Sequence, residues 1–140
     1  MSPKEYLLQI RRLNAQINIK IREKEDLEQR TSGVSGIDYS KDRVQTSAQP
    51  GAFFERNVDR IVEMEQHIDK LIDDYYDLRF QIVGQIASMQ DPRYIELLYL
   101  RYAEFKSIDT ISRTMHYSYN HTVDLHRDAL HAFGKMYGLS

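Results

Sequence analysis

The chain has 140 residues, of which 41% are hydrophobic and 29% charged, with 19 Lys/Arg against 21 Asp/Glu and no cysteine. That is about one domain's worth of chain, with enough apolar residues for a packed core and few enough Gly and Pro to favour long helices. The missing thiols exclude disulfides and cysteine-ligated zinc, and no apolar run is long enough to span a membrane.

The charge is unevenly spread. Residues 1–31 hold seven Lys/Arg against five Asp/Glu, residues 55–90 hold four against eight, and the last fifty residues balance at six each. No segment is a basic tail, so sequence-independent attraction to polyanions is expected to be weak. The N-terminal residues do not follow the order of a secretory signal peptide, and a reducing cytoplasm is the expected location.

The first predicted element is a helix over Lys4 to Arg30. Tyr6, Ile10, Leu13 and Ile17 step by four, three and four residues and form one stripe, continued by Ile21 and Leu27. Ser2 with Glu5 three residues on, and Pro3 between them, is a helix-start signature. Residues 31–54, with Gly33, Gly36, Pro50 and Gly51, show no period and are expected to form a loop.

The second helix has the cleanest pattern in the chain. Val58, Ile61, Glu65, Ile68, Ile72, Tyr75, Arg79, Ile82 and Ile86 alternate steps of three and four, as the a and d positions of a coiled coil do. Val62, Leu71, Leu78 and Val83 broaden that face. The two helices are expected to form either an antiparallel hairpin or a coil that recruits a second copy. Glu65 and Arg79 interrupt the seam, either to fix register or because they are exposed.

Asp91-Pro92 starts a third helix lined by Tyr94, Leu97, Leu98 and the stem of Arg101. A fourth begins at Ser107, with Ile108, Ile111 and Met115 inward. A fifth begins at Ser118 and runs to about Tyr137, with Thr122, Leu125, Ala129, Leu130 and Phe133 inward and Gly138 as its stop. His116, at the joint between these two helices, is among the residues that tolerate a left-handed conformation. The expected fold is therefore all-α, in two parts. Residues 1–90 form a helical hairpin or coiled coil, and residues 91–140 a trihelical helix-turn-helix unit.

In such a unit the start of the fifth helix is free on its outer face. Ser118, Tyr119, Asn120, His121, Val123, Asp124 and Arg127 are the candidate DNA-contacting residues. Asn pairs with the edge of adenine, Arg with guanine, and Tyr stacks or reaches phosphate, while the helix N-terminus offers backbone N–H groups. His121 and His126 would strengthen binding at lower pH if they gained charge. Asp124 and Asp128 oppose a polyanion. The bland alternative is a helical core with a solvated polar face.

The remaining clusters carry no chemistry. Histidines 116, 121, 126 and 131 recur every five residues, and about 140° separates such neighbours around a helix, so they do not converge on a metal. Asp69, Asp73 and Asp77 share a face as solvated acids commonly do. No nucleophile–base set or phosphate loop is present, so neither an enzyme nor a cofactor is expected.

Leu100-Arg101-Tyr102, Lys106-Ser107, Ile111, Tyr117-Ser118, Leu125-His126 and Ala129-Leu130 resemble the region-4-type helix-turn-helix of sigma factors. The resemblance is closer to the RinA- and ArpU-like late-transcription regulators and related small phage proteins of Gram-positive bacteria. Lys4-Glu5-Tyr6-Leu7, Gln9-Ile10-Arg11-Arg12-Leu13 and Asp42-Arg43-Val44-Gln45-Thr46-Ser47 extend it over nearly the whole chain. Ser112 and His116 depart from that pattern, which has Ala and Gly there. The resemblance implies a phage or prophage transcriptional regulator in the bacterial cytoplasm that binds double-stranded DNA. Its coil would self-associate or hold a protein such as RNA polymerase. Two other functions fit the same layout: a ring-forming packaging protein of the small-terminase kind, and an interaction module that has lost DNA binding.

Overall fold

The computed structural model describes residues 1–36 and 50–140. It is all-α, with no strand among the described residues. In chain order the elements are α1 (Pro3–Leu7), α2 (Gln9–Gly36), α3 (Pro50–Ala87), α4 (Pro92–Leu98), a π-helical turn (Tyr99–Ala103), α5 (Ile108–Met115) and α6 (Tyr119–Tyr137). No helix among the described residues is long and apolar enough to cross a membrane.

The helix starts follow the local signals. The Ser2 hydroxyl accepts from the Glu5 N–H at 3.1 Å and the Asp91 carboxylate from the Arg93 N–H at 2.9 Å, each answering a backbone donor that the first helical turn leaves unpaired. Gly138 ends α6 in the left-handed region, at φ 69. The first helix forms as expected but bends at Leu8, which keeps a helical conformation between α1 and α2. One expectation is corrected. The expected loop is shorter than 31–54, because residues 31–36 extend α2 and residues 50–54 already belong to α3. The segment 42–47 quoted for the resemblance lies outside the described residues.

The chain forms two compact units. Unit 1 joins Met1–Asn14 to Asp74–Ser140, and unit 2 is Ala15–Asp73. A division at residue 90 would therefore cut unit 1. In unit 2, Ile17 and Ile68 are buried, and Ile21, Lys24, Glu25 and Glu28 of α2 line one groove with Glu65, Ile68 and Asp69 of α3. Of the residues expected to broaden the apolar face of α3, Val62 is 46% exposed. Glu65 is also exposed, so it interrupts no buried seam.

Unit 1 holds the main core. Leu7, Ile10, Ile82, Ile86, Met89, Leu97, Leu98, Tyr102, Ile111, Leu125, Ala129 and Phe133 form one buried cluster. Helix α6 lies at its centre and packs against α1, α4 and α5. The third helix contains a feature that its sequence does not announce. After Leu98 it widens into a π-helical turn, in which the Glu104 N–H reaches back five residues to the Tyr99 carbonyl at 3.1 Å. The turn buries Tyr102 and Ala103 together and ends at Phe105, a non-glycine residue with φ 61. Arg79 of α3 closes this end. Its Nη1 donates to the Ala103 carbonyl at 2.7 Å, and its guanidinium carbon stands 5.9 Å from the centre of the Tyr99 ring. The basic residue in the a/d pattern is thus a fixed polar tie within unit 1.

Candidate nucleic-acid interface

Helices α5 and α6 meet through three residues whose conformation is set by hydrogen bonds. Ser107 starts α5 by accepting from the Thr110 N–H at 3.1 Å. At its other end His116 adopts φ 62, ψ 41, its N–H bonds the Arg113 carbonyl, and the Tyr117 N–H bonds the Ser112 carbonyl at 2.9 Å. These two reverse bonds answer carbonyls that the helix end leaves open. Ser118 then starts α6, its hydroxyl accepting from the His121 N–H at 3.1 Å. A side chain in the left-handed region carries a steric cost that glycine escapes. His116 is exposed, so no packing offsets that cost. His116→Gly is therefore expected to stabilise the protein by about 0.5–1 kcal/mol, read as a higher urea midpoint.

Six of the seven candidate residues lie on the first turns of α6 and Ser118 is its cap, and all seven are exposed. Tyr119 is 54% and Val123 39% exposed, and Asn120, His121, Asp124 and Arg127 are exposed as well. Thr122, Leu125, Ala129 and Phe133 are buried. With about 100° per residue, Tyr119, Asn120, Val123, Asp124 and Arg127 share an arc of roughly 140° opposite that core. Ser118 caps the helix, and the His121 ring sits edge-on to Tyr117 at 4.6 Å, toward the turn rather than in the centre of the arc.

Arg127 is not a free cation. Its Nη1 lies 3.4 Å from Asp124 and its Nε 3.7 Å from Asp128. These exposed pairs contribute about 0–1 kcal/mol each and exchange readily with another partner. They nevertheless cancel the positive charge on the face where a polyanion would land.

The structure corrects the expectation for His126, whose ring is partly buried. The Tyr102 oxygen and His126 Nε2 are 2.7 Å apart and the two rings stack at 5.7 Å. Burial, then the positive charges of Arg101 and Lys4, push the His126 pKa down to about 4. Burial pushes the Tyr102 phenol up to about 12, against the opposing positive charge of Arg101.

His126 is thus neutral where a histidine sensor would titrate, and pH acts on it through stability. Between about pH 6.5 and 4 the unfolded chain binds a proton that the folded protein refuses. The stabilisation is complete above the unfolded value and is lost as pH falls toward the folded one. A shift of this size corresponds to about 3 kcal/mol, which screening of a partly exposed ring reduces to about 1–2 kcal/mol. Denaturation midpoints at pH 7 and pH 4.5 should show the loss, and His126→Gln, whose amide oxygen can still accept from Tyr102, should flatten it.

Sequence reasoning did not find the pair formed by Tyr102 and His126. A stripe at regular helical spacing gives no sign of a π-turn. No family model, no curated protein and no solved structure matches the chain.

Proposed function

We propose that this chain is a phage or prophage transcriptional regulator of the sigma-region-4-like kind, which reads double-stranded DNA by placing α6 in the major groove. One observation carries the reading. Directly after a capped N-terminus, α6 presents Tyr119, Asn120, Val123 and Arg127 on one open side while its opposite side is buried. Those residue types match the donors, acceptors and apolar contacts that base edges and phosphates accept. The a/d pattern of α3 supports self-association of the regulator or its attachment to RNA polymerase, and two linked sites would raise the affinity of a unit that carries little positive charge.

Fluorescence anisotropy with duplex fragments of the encoding genome tests this reading. Selective binding is expected, and Asn120→Ala should weaken it by about 1–2 kcal/mol, roughly tenfold, at the preferred fragment. Asp124→Asn should strengthen binding, because it removes one of the two carboxylates that hold Arg127 and with it a repelling charge. A second reading, a protein-interaction module without DNA binding, is favoured by the position of Arg127 between Asp124 and Asp128. Equal and weak binding to every fragment, unaltered by Asn120→Ala or Arg127→Ala, would favour the second reading over the first.

A further inference from the structure

Between Asp77 and Asp91 the chain carries one charged side chain, Arg79, and that one is spent on the Ala103 carbonyl. The last turns of α3 make up most of this stretch. One side of them is used inside unit 1: Ile82 and Ile86 are buried, and the Tyr6 hydroxyl donates to Gln85 and accepts from Gln81. The opposite side is apolar and open. Phe80 is 84% and Tyr76 62% exposed, and Gly84 and Ala87 are exposed as well. At about 100° per residue, Tyr76, Phe80, Val83, Gly84 and Ala87 share an arc of roughly 100°. The Tyr76 ring stands edge-on to the half-buried Tyr75 at 5.2 Å, which limits its rotation.

Gly84 supplies an independent observation. Its backbone is ordinary helix, where glycine is less stable than alanine. A Cβ built there would meet no atom within 4 Å among the described residues, so packing within the chain does not require the missing side chain. Close approach of a second surface would require it.

We propose that this face of α3 is the contact between two copies of the chain, packed antiparallel with Phe80 of each copy over Gly84 of the other. The proposal names the surface for the self-association suggested above and does not rest on DNA binding. Within unit 1 the a and d positions Arg79, Ile82 and Ile86 are engaged in the chain itself, so self-association there takes the other side of the helix. A bulky ring and an empty glycine one turn apart are self-complementary, as a two-fold interface demands, because the axis between them sets each ring over the other copy's glycine. Charge selects the direction. Asp73 and Asp77 precede the stripe, and parallel copies would set these acids against one another. Antiparallel copies place Asp77 across from Ala87 and Ser88 and carry Asp73 past the end of the other helix. Ser88 adds no unpaired donor, since its hydroxyl bonds the Gly84 carbonyl at 2.8 Å. At about 200 Å² per aromatic side chain, the two rings leave roughly 300 Å² open per copy. Their pairing covers about 600 Å², half of the ~1,200 Å² at which specific interfaces begin, and flanking side chains add to it. A reversible dimer of micromolar affinity is expected.

Sedimentation velocity of the full chain over a concentration series tests this interface. A monomer–dimer equilibrium is expected, which Phe80→Glu should weaken about a hundredfold while leaving the thermal melt of the dilute protein intact. Gly84→Ala should act in opposite directions: it should raise the melt of the dilute protein, because alanine favours the helix, yet weaken the dimer about tenfold. A role inside the monomer would not split the two readouts. The chain has no cysteine, so Asp77→Cys mixed with Ser88→Cys should form the mixed disulfide faster than either variant links to itself. A chain that stays monomeric at every concentration overturns the proposal and leaves the face to a different protein. A dimer that survives both Phe80→Glu and Gly84→Ala overturns it too, and faster linking of Asp77→Cys to itself overturns the antiparallel packing. A dimer with these responses that binds no duplex upholds the interface and removes only the DNA reading.

Discussion

Phe133→Ala is expected to cost about 3–5 kcal/mol of unfolding free energy, the range for emptying a fully buried aromatic site. Phe133 is 0% exposed, and its ring lies 6.0 Å from Tyr6 of α1 and 4.8 Å from Tyr137 at the end of α6. The cavity cannot collapse cheaply. Next to it, a Cβ on Gly134 would come within 2.6 Å of the Pro3 ring and 2.9 Å of the Leu139 carbonyl, so α1 and the C-terminal turn already sit tightly against α6. Losing Phe133 therefore removes the ring that joins α1 to both ends of this packing, and α1 should detach before the rest of unit 1 unfolds. Urea denaturation followed by tyrosine fluorescence measures the cost, since the chain has 10 Tyr and no Trp. Hydrogen exchange of residues 3–10 would show whether α1 is released first. A loss below about 1 kcal/mol would mean that α1 contributes little to the core.

Arg79→Met should cost about 2–3 kcal/mol, although it keeps the length of the side chain and its apolar stem. The guanidinium makes a 2.7 Å charge-assisted bond to the carbonyl of Ala103, a residue only 4% exposed. A hydrogen bond involving a charged group contributes about 1.5–3 kcal/mol, and removing the donor strands a buried acceptor. Methionine packs where the arginine stem packs, so little cavity energy adds to that loss. Arg79→Lys separates charge from geometry. Lysine keeps the charge but not the planar fork that also reaches the Tyr99 hydroxyl at 3.4 Å, so it should recover only part of the stability. Thermal or urea melts of the three proteins decide the point. If Met and Lys were equal to wild type, the Ala103 carbonyl would be satisfied by water.

Comparing sequence with structure shows which kinds of information are local. The caps at Ser2, Asp91, Ser107 and Ser118 and the left-handed His116 were legible, because each depends on one residue and its neighbours within four positions. The buried sets of α5 and α6 were legible for the same reason, since a regular helix converts spacing into a face. The loop bounds were not, because Thr31, Ser32 and Ala52-Phe53-Phe54 have no period yet continue their helices. The π-turn and the role of Arg79 were also hidden. A polar residue in an a/d seam says nothing about which carbonyl it will meet, and that carbonyl is open only because the distant helix widens. For the interface, the outward face of α6 followed from its spacing. The neutralised Arg127 was also within reach, since acids three residues before it and one residue after it are close neighbours on a helix. His126 was misjudged because it sits one residue beyond Leu125, at the edge of the buried stripe. Its partner Tyr102 is 24 residues away and is turned inward by the π-turn.

The packing of α1 against α6 also constrains how the protein is made. Unit 1 draws on residues 1–14 and 74–140 but not on the stretch between them. During synthesis, the first helix leaves the ribosome long before the surface it covers exists. Residues 119–137 must follow before Tyr6 can meet Phe133. Until then Leu7 and Ile10, both 0% exposed in the finished protein, have no core to enter. Closing a chain segment of that length adds entropy to the folding barrier and leaves apolar surface open for the duration of translation. Helices α4, α5 and α6 have mostly local contacts and can assemble quickly once synthesised. The N-terminal helix docks as the final piece, so completion of the core that joins Leu7 and Ile10 to Phe133 is a late event in the life of each new molecule.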